Sequence, residues 1–437
     1  MNRRRFIGTA CAAATASAWP LLGAKTEDRK KPSPVKRLAG LSLEELRGQY
    51  HGFLFDDFLP FMEKHVIDAD FGGFLWNTDR DGTRLGTSKT PTNEGRGIWV
   101  WSYLYNVLSK EQKYLDTARR SVELILKSRP DGDSLWARSL TREGEPAAPA
   151  DVTVYGDLYV AAGLAEFARA AHDADAWKLA KDIMDKCLRI YDRPDYDSIT
   201  GADPVPGPRR QGLSMLLLPV AISLLKYKPD PDVEAVAARA VDAVVNRHFN
   251  PDYRLNNEVL NHDYSRAGGA HAQTVSFGTS IQTLWMILAE GLRRKDRSLF
   301  NTAAERLRRH VEVGWDDVYG GVASMLTHVD NCTWNLSKPL HCDVEALVGL
   351  LAVLEHTGEA WAAELFSKIY EFTIAKRVLK KYGYPLWQHE GDRRVTYEPH
   401  TRRAEHFHNS RHLMINLAAL DRMITRGGKV SSLLAVE

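Results

Sequence analysis

Apolar residues recur at helical spacing along most of the chain, and the helical runs are broken by short stretches of strand and turn chemistry. Ser42-Leu43-Glu44-Glu45 is a capping box, with Ser42 able to cap and Glu45 able to reach back. The pattern after it predicts a helix to about Val66. Gly72-Gly73-Phe74-Leu75-Trp76 and then Asp79-Arg80-Asp81-Gly82 read as a hairpin, because apolar alternation flanks a turn. A second helix is expected over 92–108.

The order helix, hairpin, helix then repeats. Helices are expected at 110–128 and 151–171, around Ser134-Leu135-Trp136-Ala137-Arg138, and at 174–191 and 210–226, around Gly201 and Pro204. Those at 231–247 and 275–293 flank Tyr253-Arg254-Leu255. Those at 297–313 and 338–356 flank Asp317-Val318-Tyr319-Gly320-Gly321-Val322, and those at 358–378 and 405–424 flank Gly383-Tyr384-Pro385-Leu386-Trp387. This makes an all-α chain of twelve helices in six pairs, repeating at roughly sixty residues. One pair cannot bury its apolar faces alone, so the pairs must stack. An open solenoid would satisfy that need. The hairpins favour closure, because they fall in the same slot of every unit, as a crown at one end of a ring. The expectation is an (α/α)6 toroid over 35–425, with the second helix of each pair lining the inside and short β-hairpins at the mouth. No Pro/Gly/Ser linker divides it.

The chain has 437 residues, is 44 % hydrophobic and carries a formal charge of +2. Three of the positive charges are Arg3, Arg4 and Arg5. Asn2-Arg3-Arg4-Arg5-Phe6-Ile7-Gly8 has the twin-arginine pattern and precedes an Ala-rich run, with small residues at Ala16-Ser17-Ala18 or Gly23-Ala24 for cleavage. Residues 1–24 are therefore expected to be a signal peptide of the twin-arginine route, and the mature protein to be periplasmic or extracellular. The near-neutral remainder argues against nucleic acid or a membrane as partner. Nothing in the pattern excludes a homodimer. Beyond Cys11, only Cys187, Cys332 and Cys342 remain, with no C-x-x-C spacing, so neither a zinc site nor a disulfide framework is expected. A bond between Cys332 and Cys342 is allowed but not required.

In such a ring the chemistry belongs at the mouth, where the inner helices begin. Glu94 and Arg96 open the first, and Tyr155 and Asp157 the second. Lys338, His341, Asp343 and Glu345 open the fifth, and His406, His408 and Arg411 the sixth. Trp76, Trp99, Trp101, Trp136, Trp334 and Trp387 fall near the same layer. Indole faces pack on the C–H faces of sugars, while Arg, Glu and His bond hydroxyls, so a mono- or oligosaccharide is the expected ligand. No cofactor or metal is expected. Asn77-x-Asp79-x-Asp81-Gly82 mimics a calcium loop but has Ser88 at the twelfth position. His406 and His408, two apart, lie on different helix faces.

These pieces together resemble the N-acylglucosamine 2-epimerase family, which includes cellobiose 2-epimerases, mannose isomerases and renin-binding protein. The similarity is carried by Gly72-Gly73-Phe74, Asp79-Arg80-Asp81-Gly82 and Gly95-Arg96-x-x-Trp99. It continues in Val154-Tyr155-Gly156-Asp157-Leu158-Tyr159, Asp317-x-x-Gly320-Gly321, Lys338 with Glu345, and Phe407-His408-x-x-Arg411. The resemblance implies acid–base chemistry on an open-chain sugar. A proton leaves the carbon next to the carbonyl, a cis-enediolate forms, and a proton returns to the opposite face or to the neighbouring carbon. It implies catalysis by His408, with Arg96, Trp99, Tyr155, Lys338, Glu345 and Arg411 at the substrate. One family motif is altered. Gly278-Thr279-Ser280-Ile281-Gln282-Thr283-Leu284-Trp285 stands where the family carries Gly-His-x-x-Glu-x-x-Trp. Thr279 cannot serve as an imidazole base, and Gln282 lacks the carboxylate charge. His271, His341, or a carboxylate from Glu94 or Glu345 are candidate replacements, with Gln282 left to bind substrate. A glycoside hydrolase or lyase using Glu94, Asp343 and Glu345 on the same toroid is an alternative, and a non-catalytic carbohydrate-binding protein is another.

Overall fold

The structure is a computed structural model that describes residues 33–79, 81–378 and 406–434, and residues from Ser33 onward make one compact unit. The expected leader at 1–24 and the sixth hairpin with Trp387 lie outside the described residues, as does Arg80. Twelve helices are formed by the described residues. Helix α1 runs continuously through Leu43–His51, the π-helical stretch Gly52–Phe58 and Leu59–His65. Helix α2 is Pro91–Tyr103 extended by the π-turn Leu104–Leu108, and α3 is Gln112–Lys127. Then follow α4 (Tyr155–Ala171), α5 (Ala174–Tyr191), α6 (Gln211–Tyr227) and α7 (Pro231–Asp242, extended by Ala243–Arg247). The last five are α8 (Phe277–Arg294), α9 (Arg297–Gly314), α10 (Leu340–Thr357), α11 (Ala360–Lys376) and α12 (His408–Thr425).

Local chemistry sets these limits. The Ser42–Glu45 capping box forms in both directions. Thr90 caps α2 ahead of Pro91, and Asp173, Asp230 and Asp296 cap α5, α7 and α9. The even-numbered helices form the inner wall, in which α2 packs on α4, α4 on α6, α6 on α8, α8 on α10 and α10 on α12. At the first of these crossings two glycines remove the steric barrier. A Cβ on Gly95 would collide with the backbone of Tyr159, and one on Gly163 would lie 2.6 Å from the Gly95 carbonyl oxygen.

The ring closes, which an open solenoid would not do. α12 packs against α1 and against the π-turn of α2. Asn416 donates to the Tyr50 hydroxyl at 3.1 Å, Arg47 pairs with Asp421 at 2.8 Å, and the Val35 N–H donates to the Gly428 carbonyl at 2.8 Å. The crown differs from six separate hairpins. Its ladders run between units as well as within them: Arg209–Arg210 pairs antiparallel with Val259–Leu260 and Val275–Ser276 with Met325–Leu326 across units, while Phe249–Asn250 pairs with Leu255–Asn256 and Met325–His328 with Thr333–Asn335 inside them. Within units, contacts such as Ile67 with Phe74 and Trp315 with Val322 are single bridges. Strands this short cannot stand alone, so they pair with whatever edge the next unit offers.

Units one and five share a buried tie that fixes crown to wall. In each an aspartate, two glycines, a lysine and an acid recur in order: Asp68, Gly72-Gly73, Lys89 and Glu94, then Asp316, Gly320-Gly321, Lys338 and Asp343. Lys89 donates to Asp68 at 3.0 Å and to the Gly72 carbonyl at 2.6 Å; Lys338 donates to Asp316 at 2.5 Å and to the Gly320 carbonyl at 2.7 Å. The acid on the inner helix accepts the next strand's N–H, Phe74 to Glu94 at 3.2 Å and Val322 to Asp343 at 2.8 Å. Lys338, expected at the substrate, is thus fully buried and spent on the crown. Lys338→Met should cost about 3 kcal/mol of stability, because it strands a largely buried carboxylate. Urea unfolding should show this loss, while KM for sugar stays unchanged. A raised KM at unaltered stability would return Lys338 to the substrate.

Candidate active site

The wall formed by α8, α10 and α12 carries one connected polar cluster. Glu345, on α10, is inaccessible to solvent. Its Oε1 accepts from His408 Nδ1 at 2.7 Å and from Arg411 at 2.5 Å, and its Oε2 accepts from Trp285 Nε1 at 2.6 Å. Burial alone pushes this carboxyl up, but Arg411 and His408 outweigh burial and hold it at about 2. An ionised Glu345 accepts a hydrogen bond from Nδ1–H of His408, the tautomer in which the ring's lone pair is on Nε2. His408 and Arg411 sit three residues apart on the first turn of α12 and so share a face. With its amide oxygen toward the guanidinium, Gln282 accepts from Arg411 at 2.7 Å.

Arg96 comes from the other side, on α2. It donates to the Tyr159 hydroxyl at 2.8 Å and lies over the rings of Tyr159 and Phe407 at 4.4 and 4.9 Å. Arg411 covers Phe407 at 4.6 Å and Trp285 at 5.4 Å, so Phe407 is flanked by two guanidinium groups. Beneath them lies a cavity of about 40 Å³ bordered by Arg96, Trp99, Tyr159, Gln282, Trp285 and Phe407. It has room for a water or two and no sugar. All six inner helices begin at the crown end of the ring, so the positive ends of their dipoles gather there.

His341 stands beside the cluster. Its ring centroid lies 5.3 Å from that of His408, and its Nε2 edge rests on Gly278, the residue before Thr279. A Cβ at Gly278 would collide with that ring and come within 2.9 Å of Cys342 Sγ. Thr279 itself accepts from the Ser276 hydroxyl at 3.0 Å. His271 is placed differently. It ends the one-turn helix Gly269–His271 in the fourth crown loop, which Asp203 holds through the Ala270 N–H.

Several expected site residues turn into the wall. Glu94 is buried and accepts from Ser121 at 2.6 Å as well as from Phe74. Desolvation raises it to about 7. Tyr155 packs its hydroxyl near Gly212, and burial, with Glu258 adding to it, pushes the phenol above its ordinary range. Asp343 pairs with Arg377 at 2.7 Å with both side chains inaccessible. Trp101 and Trp136 are core residues, Trp334 stacks on Phe277, and Trp76 packs beside His406, whose Nε2 meets Thr78 at 3.1 Å. Cys332 and Cys342 are free thiols. No metal-holding group of three or more His, Cys, Asp or Glu occurs among the described residues. Two groups were missed. Trp285 anchors Glu345, a role its place in the α8 motif did not announce. Glu258, an enclosed carboxyl raised by desolvation to about 7 against Arg210, sits in a crown segment without a recognisable spacing.

The Glu94 carboxyl gives a pH test. Its folded value of about 7 lies above the ordinary 4.5. The folded state therefore holds the proton longer, and stability falls as pH rises from about 4.5 to about 7, by on the order of 3 kcal/mol. Glu94→Gln keeps the shape without the charge, so its stability should stay flat across that window and exceed the parent's at pH 8. Equal unfolding free energies of the parent at pH 5 and pH 8, read from urea unfolding, would contradict this placement.

A family model described as N-acylglucosamine 2-epimerase (GlcNAc 2-epimerase) matches residues 72–409. The chain belongs to the N-acylglucosamine 2-epimerase family. An N-acylglucosamine 2-epimerase of Mus musculus is 23 % identical over 348 residues, covering 75 % of this chain and 80 % of that one. Among solved structures, cellobiose 2-epimerase from Spirochaeta thermophila superposes with a TM-score of 0.72 at 18 % identity, covering 87 % of this chain and 98 % of the other. A D-mannose isomerase gives 0.70 at 13 %, covering 87 % and 97 %. These structures carry the same toroid. This chain carries the Glu345–His408–Arg411 cluster, while at Thr279 and Gln282 its α8 offers no group that titrates near neutral pH.

Proposed function

We propose that this protein is a sugar epimerase or isomerase that moves a proton at C2 of an open-chain saccharide, with His408 as the base. The observation that carries the reading is the His408–Glu345 pair. It orients the imidazole and fixes its tautomer. Arg96, Arg411 and the ends of six inner helices bring positive charge to the mouth, where the enediolate oxygen develops its charge. Trp99 and Trp285 offer indole surface beside them. The family and its relatives' names support the same chemistry. A carboxylate hydrolase fits less well. Glu94 and Asp343 are bonded into the crown ties, and Glu345 stays ionised, so none is a general acid facing the lumen. The test is incubation with reducing sugars in D2O, followed by proton NMR. Loss of the C2 proton signal is expected, and release of reducing ends from a glycan without exchange would refute the reading.

The protein is further proposed to act outside the cytoplasm, because Arg3-Arg4-Arg5-Phe6 and the Ala-rich run that follows have the pattern of a twin-arginine leader. Changing Arg4 and Arg5 together to Lys should retain the protein in the cytoplasmic fraction. An unchanged distribution would remove this proposal.

A further inference from the structure

We propose that Glu258 is a further catalytic residue, which meets the face of C2 opposite His408 and gives or takes the second proton there. This rests on the acid–base reading above. The ring sets the placement. The inner helices touch in the order α2, α4, α6, α8, α10, α12, and α12 returns to α2, so α4 lies across the bore from α10 and α6 across from α12. His341 and His408 are at the starts of α10 and α12, with ring centroids 5.3 Å apart. Both imidazoles therefore come from one arc. The starts of α4 and α6, at Tyr155 and Gln211, make the facing arc.

Glu258 is pinned on that facing arc. Its carbonyl accepts from the Gln211 N–H at 3.0 Å, and its own N–H donates to the Thr274 carbonyl at 2.8 Å. The next residues, Val259–Leu260, pair with Arg209–Arg210 just ahead of α6. The side chain lies close enough to Tyr155 for its charge to act on the phenol. Its Oε2 has no hydrogen-bond partner. Neither has Nε2 of the fully buried Gln211, whose Oε1 accepts from Ser280 at 3.0 Å. Buried polar groups are ordinarily paired, so an acceptor and a donor left open side by side call for a polar ligand.

The carboxyl has the character the role needs. Glu258 keeps part of its surface accessible, yet desolvation raises it to about 7, opposed only by Arg210, which is itself paired with Asp197 at 2.9 Å. Open surface would leave the group solvated, and solid core would leave it no accessible area. The two properties together mark the rim of a deep recess. The bore is such a recess: about a turn further in, Arg96, Tyr159, Leu216, Trp285 and Arg411, from five inner helices, border a single cavity. A carboxyl near 7 is divided between acid and base at neutral pH, which suits transfer in either direction.

The protons balance without a co-reactant. His408 Nε2 takes the C2 proton, the C1–C2 double bond forms, and the carbonyl pair moves onto O1. The O–H bond of Glu258 then breaks, its proton bonds C2 from the opposite face, and C1=O1 reforms. His408 now holds the proton that Glu258 has lost, and water carries one back. In the other direction the Glu258 carboxylate takes the proton and His408 gives it.

The experiment incubates the full chain and its Glu258→Gln variant with D-glucose, D-mannose and cellobiose in D2O, read by NMR. The parent is expected to form a C2 epimer that carries deuterium. Glu258→Gln should form that epimer at least about 100-fold more slowly. It should still place deuterium at C2 of the unchanged sugar within about tenfold of the parent rate, because His408 returns a deuteron to its own face. The unfolding midpoint should move by no more than a few degrees. Glu258→Asp, one methylene shorter, should recover part of the inversion, and its ratio of exchange to inversion decides the matter if Glu258→Gln does not fold. Inversion within about threefold of the parent in Glu258→Gln overturns the proposal. Loss of exchange and inversion in equal measure overturns the assignment of Glu258 to the second face. A parent that exchanges C2–H and yields only ketose overturns the proposal and leaves the acid–base reading intact. Absence of carbon-bound exchange with every sugar overturns the acid–base reading, and this proposal with it.

Discussion

Replacing His408 by alanine is expected to lower kcat/KM by about 10³-fold while leaving the protein folded. The imidazole is the base proposed above, and its side chain, held by Glu345, keeps 11 % of its surface accessible. The loss should fall on kcat more than on KM, because the sugar hydroxyls are held by other groups. Measuring the initial rate of C2–H exchange for parent and variant, with far-UV dichroism on both, decides the matter. A variant that exchanges within threefold of the parent would show that another group does the work.

The second large effect is expected for Glu345→Gln, which touches both activity and stability. The substitution removes the charge that Arg411 and His408 share and leaves a nearly inaccessible guanidinium without its partner. Activity should fall about 10²-fold as the imidazole loses its anchor. Stability should fall by roughly 3 kcal/mol at neutral pH, since the Glu345 carboxyl sits near 2 when its ordinary value is 4.5. The folded value is depressed, so this contribution is fully present above about pH 4.5 and is lost as pH falls toward 2. Parent and variant should therefore converge in acid and separate above pH 5. Unfolding curves that run parallel from pH 3 to pH 7 would rule out the ionised, clamped Glu345 described above.

The sequence made the helices legible because each has an apolar period and a turn after it, and five also have a side-chain N-cap. It made closure plausible because the turns recur in one slot. It was less able to say which way the first turn of an inner helix faces. Glu94 and Arg96 are two residues apart, which is about 200° around a helix. Arg96 enters the lumen with Trp99, so Glu94 must face the wall. Asp343 and Glu345 divide in the same way, Asp343 toward Arg377 and Glu345 toward His408. Helical phase thus sorts residues that proximity in sequence groups together. The Lys89 and Lys338 ties were hidden for another reason. A lysine before a helix reads as a solvated charge until its aspartate, far back in the chain, is brought beside it. The imidazole beside His408 was open to His271 and His341, and only packing of His341 across Gly278 distinguishes them.

Ring closure also has a temporal meaning. The helix that completes the circle against α1 is the last one, and it is the helix that carries His408 and Arg411. Five units could stack in order as the chain emerges, yet Glu345 would wait without His408 and Arg411 until α12 docks across more than three hundred residues of sequence. On the proposed mechanism, competence would thereby report on a finished circle, and a chain cut short before its final helix would be silent however well the rest had assembled.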